Sequence, residues 1–211
     1  MRRCITVLAT ASLLLVAMAG PASAATSQTS EVYTFADLPA LVDVGDAALV
    51  RNDNGVTVRA TVEDVAPGAY TLWWVVWNNP EVCGADGCTD ADFGTPGLDV
   101  DIGYATGHVA GNGGRLTLVA HLAEGGSLSG FPTEFGIASG RGLLDSLDAE
   151  VHIVIRNHGA TIPGLVGEMT HTFAAGCDYS AFGGSIVSPA YGTEGPNICE
   201  DSFFAIFPPA T

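Results

Sequence analysis

The sequence predicts an all-β protein: a single-domain antiparallel β-sandwich with long Gly- and Pro-rich loops. Three observations carry that expectation. Short apolar segments recur along the chain between turn residues, 27 Gly and 11 Pro punctuate them, and no long stretch shows the 3.6-residue period of an amphipathic helix.

The elements follow in order. Gly55 to Glu63 alternates at period 2, placing Val56, Val58, Ala60 and Val62 on one face. Pro67-Gly68 turns the chain. Tyr70 to Trp77 is then apolar on both faces, with Leu72, Trp74 and Val76 opposing Trp73, Val75 and Trp77. This predicts a central strand covered on both sides. It also makes at least Trp74 and one of Trp73 and Trp77 core instead of a carbohydrate platform.

Leu98 to Val109 reads as a strand bent at Gly103 or Gly107. Asn112-Gly113-Gly114 signals a hairpin into Arg115 to Leu122. Ala149 to His158, Met169 to Ala174 and Phe203 to Phe207 complete the strand set. Leu143 to Leu147 suggests a helical turn, and the segments 125–136 and 176–197 read as loops. An immunoglobulin pattern is not met, because all three Trp precede every cysteine after Cys4.

The first 24 residues read as a cleaved export signal. Arg2 and Arg3 form a positive start, Ile5 to Ala19 an apolar run, and Ala22-Ser23-Ala24 a small-residue cleavage site. The apolar run is about 15 residues, short of the roughly 20 that a spanning helix needs. The expected layout is a signal over 1–24, a flexible leader over 25–30 and one β domain over 31–211. The mature protein is then secreted, with no membrane insertion after cleavage.

The whole chain carries a formal charge of −16, and loss of Arg2 and Arg3 makes it two charges more negative. Lysine is absent. Such a surface repels nucleic acid, so none is expected as a partner. In an exported chain the remaining Cys83, Cys88, Cys177 and Cys199 read as two bridges. The favoured pairing is Cys83–Cys88 with Cys177–Cys199, each bracketing a Gly- and Asp-rich loop.

Two segments are candidates for chemistry. In Glu150 to His158, the apolar Val151, Ile153 and Ile155 define the core face. Glu150, His152, Arg156 and His158 share the other face, which reads as exposed with cross-strand charge pairs. His152 and His158 stand about 20 Å apart along a strand, too far to share an ion, whereas Glu150 and His152 at about 7 Å can converge. A metal site would therefore need His121 or His171, from another segment, beside His152. The second candidate is the loop bearing Asp86, Asp90 and Asp92, which offers oxygen ligands to calcium. It departs from an EF-hand, since Thr95 occupies the turn-glycine position and Pro96 interrupts the loop.

No Gly-x-Ser-x-Gly elbow, His-Glu-x-x-His, phosphate-binding glycine loop or Cys-x-x-Cys pair is present. The sequence therefore assigns no catalytic residue and no definite cofactor, with a divalent metal as the open possibility. The expected function is a non-enzymatic extracellular binding or structural module. The alternative is a metal-dependent site built around the histidine-bearing strand.

The blocks Tyr70-Thr71-Leu72-Trp73-Trp74-Val75 through Asn78-Asn79-Pro80 and Cys83, Ala105-Thr106-Gly107, and Ala149-Glu150-Val151-His152 through Arg156-Asn157-His158-Gly159 resemble those of a family of exported bacterial proteins. The resemblance covers roughly Val56 to Phe207 and departs at Ala160, where that family often has proline. It implies export and marks Glu150, His152, Arg156 and His158 as part of a characteristic segment. It implies no particular activity.

Overall fold

The computed structural model describes residues 25–182 and 189–210. The expected export signal, 1–24, lies outside the described residues.

The chain folds into eight strands: β1 (Thr26–Thr34), β2 (Asp43–Asn52), β3 (Gly55–Glu63), β4 (Gly68–Trp77), β5 (Val100–Ala110), β6 (Arg115–Ala123), β7 (Glu150–Asn157) and β8 (Glu200–Phe207). They form one antiparallel sheet in the order β5-β4-β7-β8-β1-β2-β3-β6. Its two end strands, β5 and β6, approach to within 8 Å between Cα atoms. No hydrogen-bonded ladder joins them, so the Asn112-Gly113-Gly114 turn links neighbours that do not pair. The sheet is a nearly closed barrel and not the expected sandwich.

The interior explains the closure. Leu49, Val58, Leu72, Trp74, Leu118, Ile153 and Phe207 come from six different strands into one buried cluster. One inner face thus meets itself, where a sandwich would press two sheets together. The alternation of β3 works as its sequence requires: Val56, Val58, Ala60 and Val62 are fully buried inside.

Arg51, the next inward position on β2 after Leu49, plugs one end of the barrel. Its Nε donates to Gln28 Oε1 (2.6 Å), and its two terminal nitrogens donate to the carbonyls of Ser146, Ala149, Phe207 and Pro208.

Two local expectations need correction, and a third shifts in place. Residues 25–30 are not a flexible leader, because Thr26 to Val32 pair in register with β2. Backbone bonding to a neighbour holds this Ser/Thr-rich segment, which has no apolar residue before Val32. Met169 to Ala174 is not a strand. Val166–Met169 forms a short helix, α1, and bends and turns follow it. The single helical turn expected over Leu143 to Leu147 falls two residues later, closed by Ala149 N donating to Asp145 O (3.1 Å).

The bend in β5 falls between the two candidate glycines. The register against β4 slips at Ala105, where Leu72 faces Thr106 and Trp73 faces Tyr104. At Gly107 a Cβ would lie 2.0 Å from the Thr170 carbonyl, so only glycine lets the covering segment approach β5 so closely.

That covering segment belongs to a second layer. β4 is buried along its whole length. Its outward Trp73 packs with Phe173, Cys177 and Cys199. Outward Val75 and Trp77 pack with Cys88, Val100 and Ile102. Loops therefore seal the outer side of the β4–β7 region, while Thr57, Arg59 and Val119 on the opposite wall reach solvent.

Candidate functional site

The site follows from the pairing of β7 between β4 and β8. In register, Glu150 faces Trp77, His152 faces Val75 and Ile206, and Arg156 faces Thr71 and Asp201. The neighbours on the outer face of β4 are thus large and apolar at one end and polar at the other. With the loops laid over them, the β7 side chains are buried: relative exposure is 3 % for Glu150, 9 % for His152, 3 % for Arg156 and 0 % for His158. This corrects the expected exposed face. Sequence alternation showed which side each residue takes, but the loops that cover the outer side are distant in sequence and irregular.

Buried polar groups need partners, and these have them. Arg156 ion-pairs with Asp201 (2.7 Å), donates to the Phe173 carbonyl (2.9 Å) and stacks over the Phe173 ring at 4.2 Å. Trp73 Nε1 donates to Thr71 Oγ1 (2.8 Å), and Thr71 Oγ1 bonds His158 Nε2 (2.9 Å). His158 Nδ1 lies 3.0 Å from the Ala175 carbonyl. A carbonyl only accepts, so Nδ1 carries the proton and Nε2 accepts from Thr71. Burial lowers the His158 pKa to about 4; the Ala175 bond opposes that shift and the Arg156 charge adds to it. His158 is a neutral structural link.

At the other end of the strand, His152 Nε2 donates to Glu150 Oε1 (2.6 Å), which also accepts from Cys88 N (2.9 Å). The Glu150 carboxylate thus anchors the disulfide loop to the barrel. Its second oxygen, Oε2, has no hydrogen-bond partner among the described residues and opens into a groove of about 730 Å³. Glu81, Asp86 and Asp148 line this groove together with Ile206, Pro208 and Pro209. Gly87, at φ +85°, sits against the carboxylate, and a Cβ there would come within 3.0 Å of Oε2.

The histidines of the metal hypothesis are dispersed. His121 is exposed on β6, where it bonds Thr57 Oγ1 (2.9 Å). His171 is exposed after α1, with Nδ1 against the Gly167 carbonyl at 2.8 Å. Neither joins His152 in a set of converging ligand atoms among the described residues.

Asp86, Asp90 and Asp92 do not converge either. Asp92 instead accepts from the Thr89 amide and hydroxyl at 2.8 and 3.0 Å. Farther along, buried Asp101 accepts from three backbone amides, those of Ile102, Gly140 and Gly142.

The cysteines pair as expected, Cys83 with Cys88 and Cys177 with Cys199. His158 lies with Cys177 and Cys199 in a cluster whose candidate ligand atoms fall within 4.8 Å of one another. Both sulfurs are used by the bridge, and the His158 ring is used by Thr71 and Ala175, so the oxidised cluster offers no ligand set.

Two features had no sequence signal strong enough to find them. Arg51 reads as one charge at a strand end, and the groove is assembled from three separated segments. Comparison with protein-family models, with curated proteins and with solved structures finds no match.

Proposed function

We propose that the chain is an exported, non-enzymatic extracellular binding module built on a disulfide-stapled β-barrel. One observation carries this reading: the ionisable side chains that mark β7 are spent on the scaffold. Arg156 and His158 are buried and bonded both to covering loops, at the Phe173 and Ala175 carbonyls, and to neighbouring strands, at Asp201 and Thr71, while Glu150 uses one oxygen to hold Cys88 N. General acid–base catalysis requires a group that reaches substrate and exchanges protons near the working pH, and a sealed His158 with a pKa of about 4 is poorly suited to it.

Export is supported by the two bridges and the signal-like first 24 residues. Among the described residues no helix is long and apolar enough to cross a membrane. Of the three blocks that carry the resemblance to exported bacterial proteins, the first and last fall on β4 and β7, adjacent strands beneath the covering loops, and Ala105-Thr106-Gly107 falls on β5.

Metal dependence is the reading to test against. Purified protein dialysed against a chelator is expected to keep its melting temperature and to contain no stoichiometric zinc or copper beforehand. Stoichiometric metal that disappears in a His152→Ala variant would overturn the proposal.

A further inference from the structure

We infer that the groove at the mouth of the barrel binds a cationic side chain, arginine or lysine, presented by a segment of another protein. This rests on the binding-module reading above and names its site and ligand chemistry.

The groove is a built feature. Arg51 fixes its two inner walls at once, donating to the Ala149 carbonyl beside Asp148 and Glu150 and to the Pro208 carbonyl beside Ile206 and Pro209. The third wall is the Cys83–Cys88 loop, held by the bridge and by the bond from Cys88 N to Glu150 Oε1. Walls fixed in advance lower the ordering cost of binding.

The chemistry inside is one-sided. Glu81, Asp86, Asp148 and Glu150 line the groove, and no basic residue does. Glu150 is the decisive member, because its side chain is 4 % exposed yet Oε2 is left open. A carboxylate oxygen in that setting is an acceptor waiting for a donor, and a charge-assisted bond there is screened far less than one at the surface.

The shape of the site selects the type of cation. A compact divalent ion needs several ligand atoms within a few ångströms of one another, and these carboxylates do not converge in that way. An elongated cation spreads its donors over separated acceptors. Its methylene stem can lie along Pro208, Pro209 and Ile206, whose side chain is part exposed. A quaternary ammonium would seek an aromatic cage, and no aromatic residue lines the groove.

The chain itself is poorly placed to supply the cation. Arg51 and Arg156 are buried, and Arg115 and Arg141 pair with Glu63 and Asp99. Arg59 alone among the described basic residues is exposed outside an ion pair, and it sits mid-strand on β3.

The test is an NMR titration of the ¹⁵N-labelled protein at low ionic strength with the blocked pentapeptide Gly-Gly-Arg-Gly-Gly. Peptides with Leu or Glu at the centre serve as controls. The amide resonances of Gly87, Cys88 and Asp148 should move saturably with the Arg peptide and not with the controls. Glu150→Gln keeps an acceptor for Cys88 and His152, and should weaken binding roughly tenfold, the loss of one charge-assisted hydrogen bond. Asp86→Asn, on the exposed rim, should weaken it about twofold and gives a readout even if Glu150→Gln does not fold.

Equal affinity in parent and both variants would overturn the inference. So would groove shifts produced by the Leu or Glu peptide alone, although a binding module would then remain. Groove shifts that grow with protein concentration in the absence of peptide would assign the site to a second copy and overturn it also. If no peptide moves any groove resonance, the groove fails as the module's binding site and the inference falls with it.

Discussion

Arg51 and His158 show what burial demands of single ionisable residues. Burial lowers the Arg51 pKa to about 10, with the nearby Glu150 charge opposing the shift. The guanidinium is held by four carbonyls and one amide oxygen. Arg51→Met would leave those acceptors buried without donors, so the expected loss is about 3 kcal/mol or more in urea unfolding. His158 gives a pH signature. Its folded pKa, about 4, lies below the ordinary histidine value of 6.5, so the unfolded chain binds the extra proton between those limits. The stabilisation is complete above pH 6.5 and is lost as pH falls through about 4. The amount is about 3 kcal/mol from the size of the shift. Chemical denaturation at pH 7, 5.5 and 4 should show this decline, and His158→Asn should flatten it.

Elements were legible in the sequence to different degrees, for physical reasons. β3 and the double-sided β4 were legible because their core positions are uniformly apolar and their partners bury what the pattern says they bury. β1 and β2 were not. Thr26 to Glu31 has no apolar side, and β2 is interrupted by Gly45, Asp46 and Arg51, so ladder bonds and barrel closure hold them instead of local pattern. The same limit applies to β7: alternation gave the outward set correctly, while the loops that bury it carry no periodicity. The disulfides were readable from the even count of cysteines after Cys4 together with the expectation of export.

Those disulfides anchor the cover. The Cys177–Cys199 bridge closes a loop with sequence separation 22 and packs against Trp73 and Phe173. A Cys177→Ser, Cys199→Ser double variant should lose about 3 kcal/mol, the loop-entropy scale for such a closure. Its Trp fluorescence should shift to the red as the cover over Trp73 loosens. Unchanged stability in urea would show that the loop is held by packing alone.

At the scale of the molecule, the protein is a barrel with two unlike walls. One wall, formed by outer residues of β3 and β6, is open to solvent. The other is roofed by disulfide-pinned loops, and the groove opens at its lower edge where the roof meets the barrel end. A sandwich and a barrel share the same strand alternation, so closure had no separate signal in sequence. The excess of acidic over basic residues in the chain extends into the groove, which no basic residue lines.

The claim that the roof seals β7 can be tested on the intact protein with one measurement, histidine labelling by diethyl pyrocarbonate read out by peptide mass spectrometry. The chain has five histidines: His108, His121 and His171 are exposed, and His152 and His158 are buried. The three exposed rings should be labelled in the native protein, while His152 and His158 stay protected until denaturant and reductant open the loops. Native labelling of His152 and His158 at the rate of His121 would contradict the account.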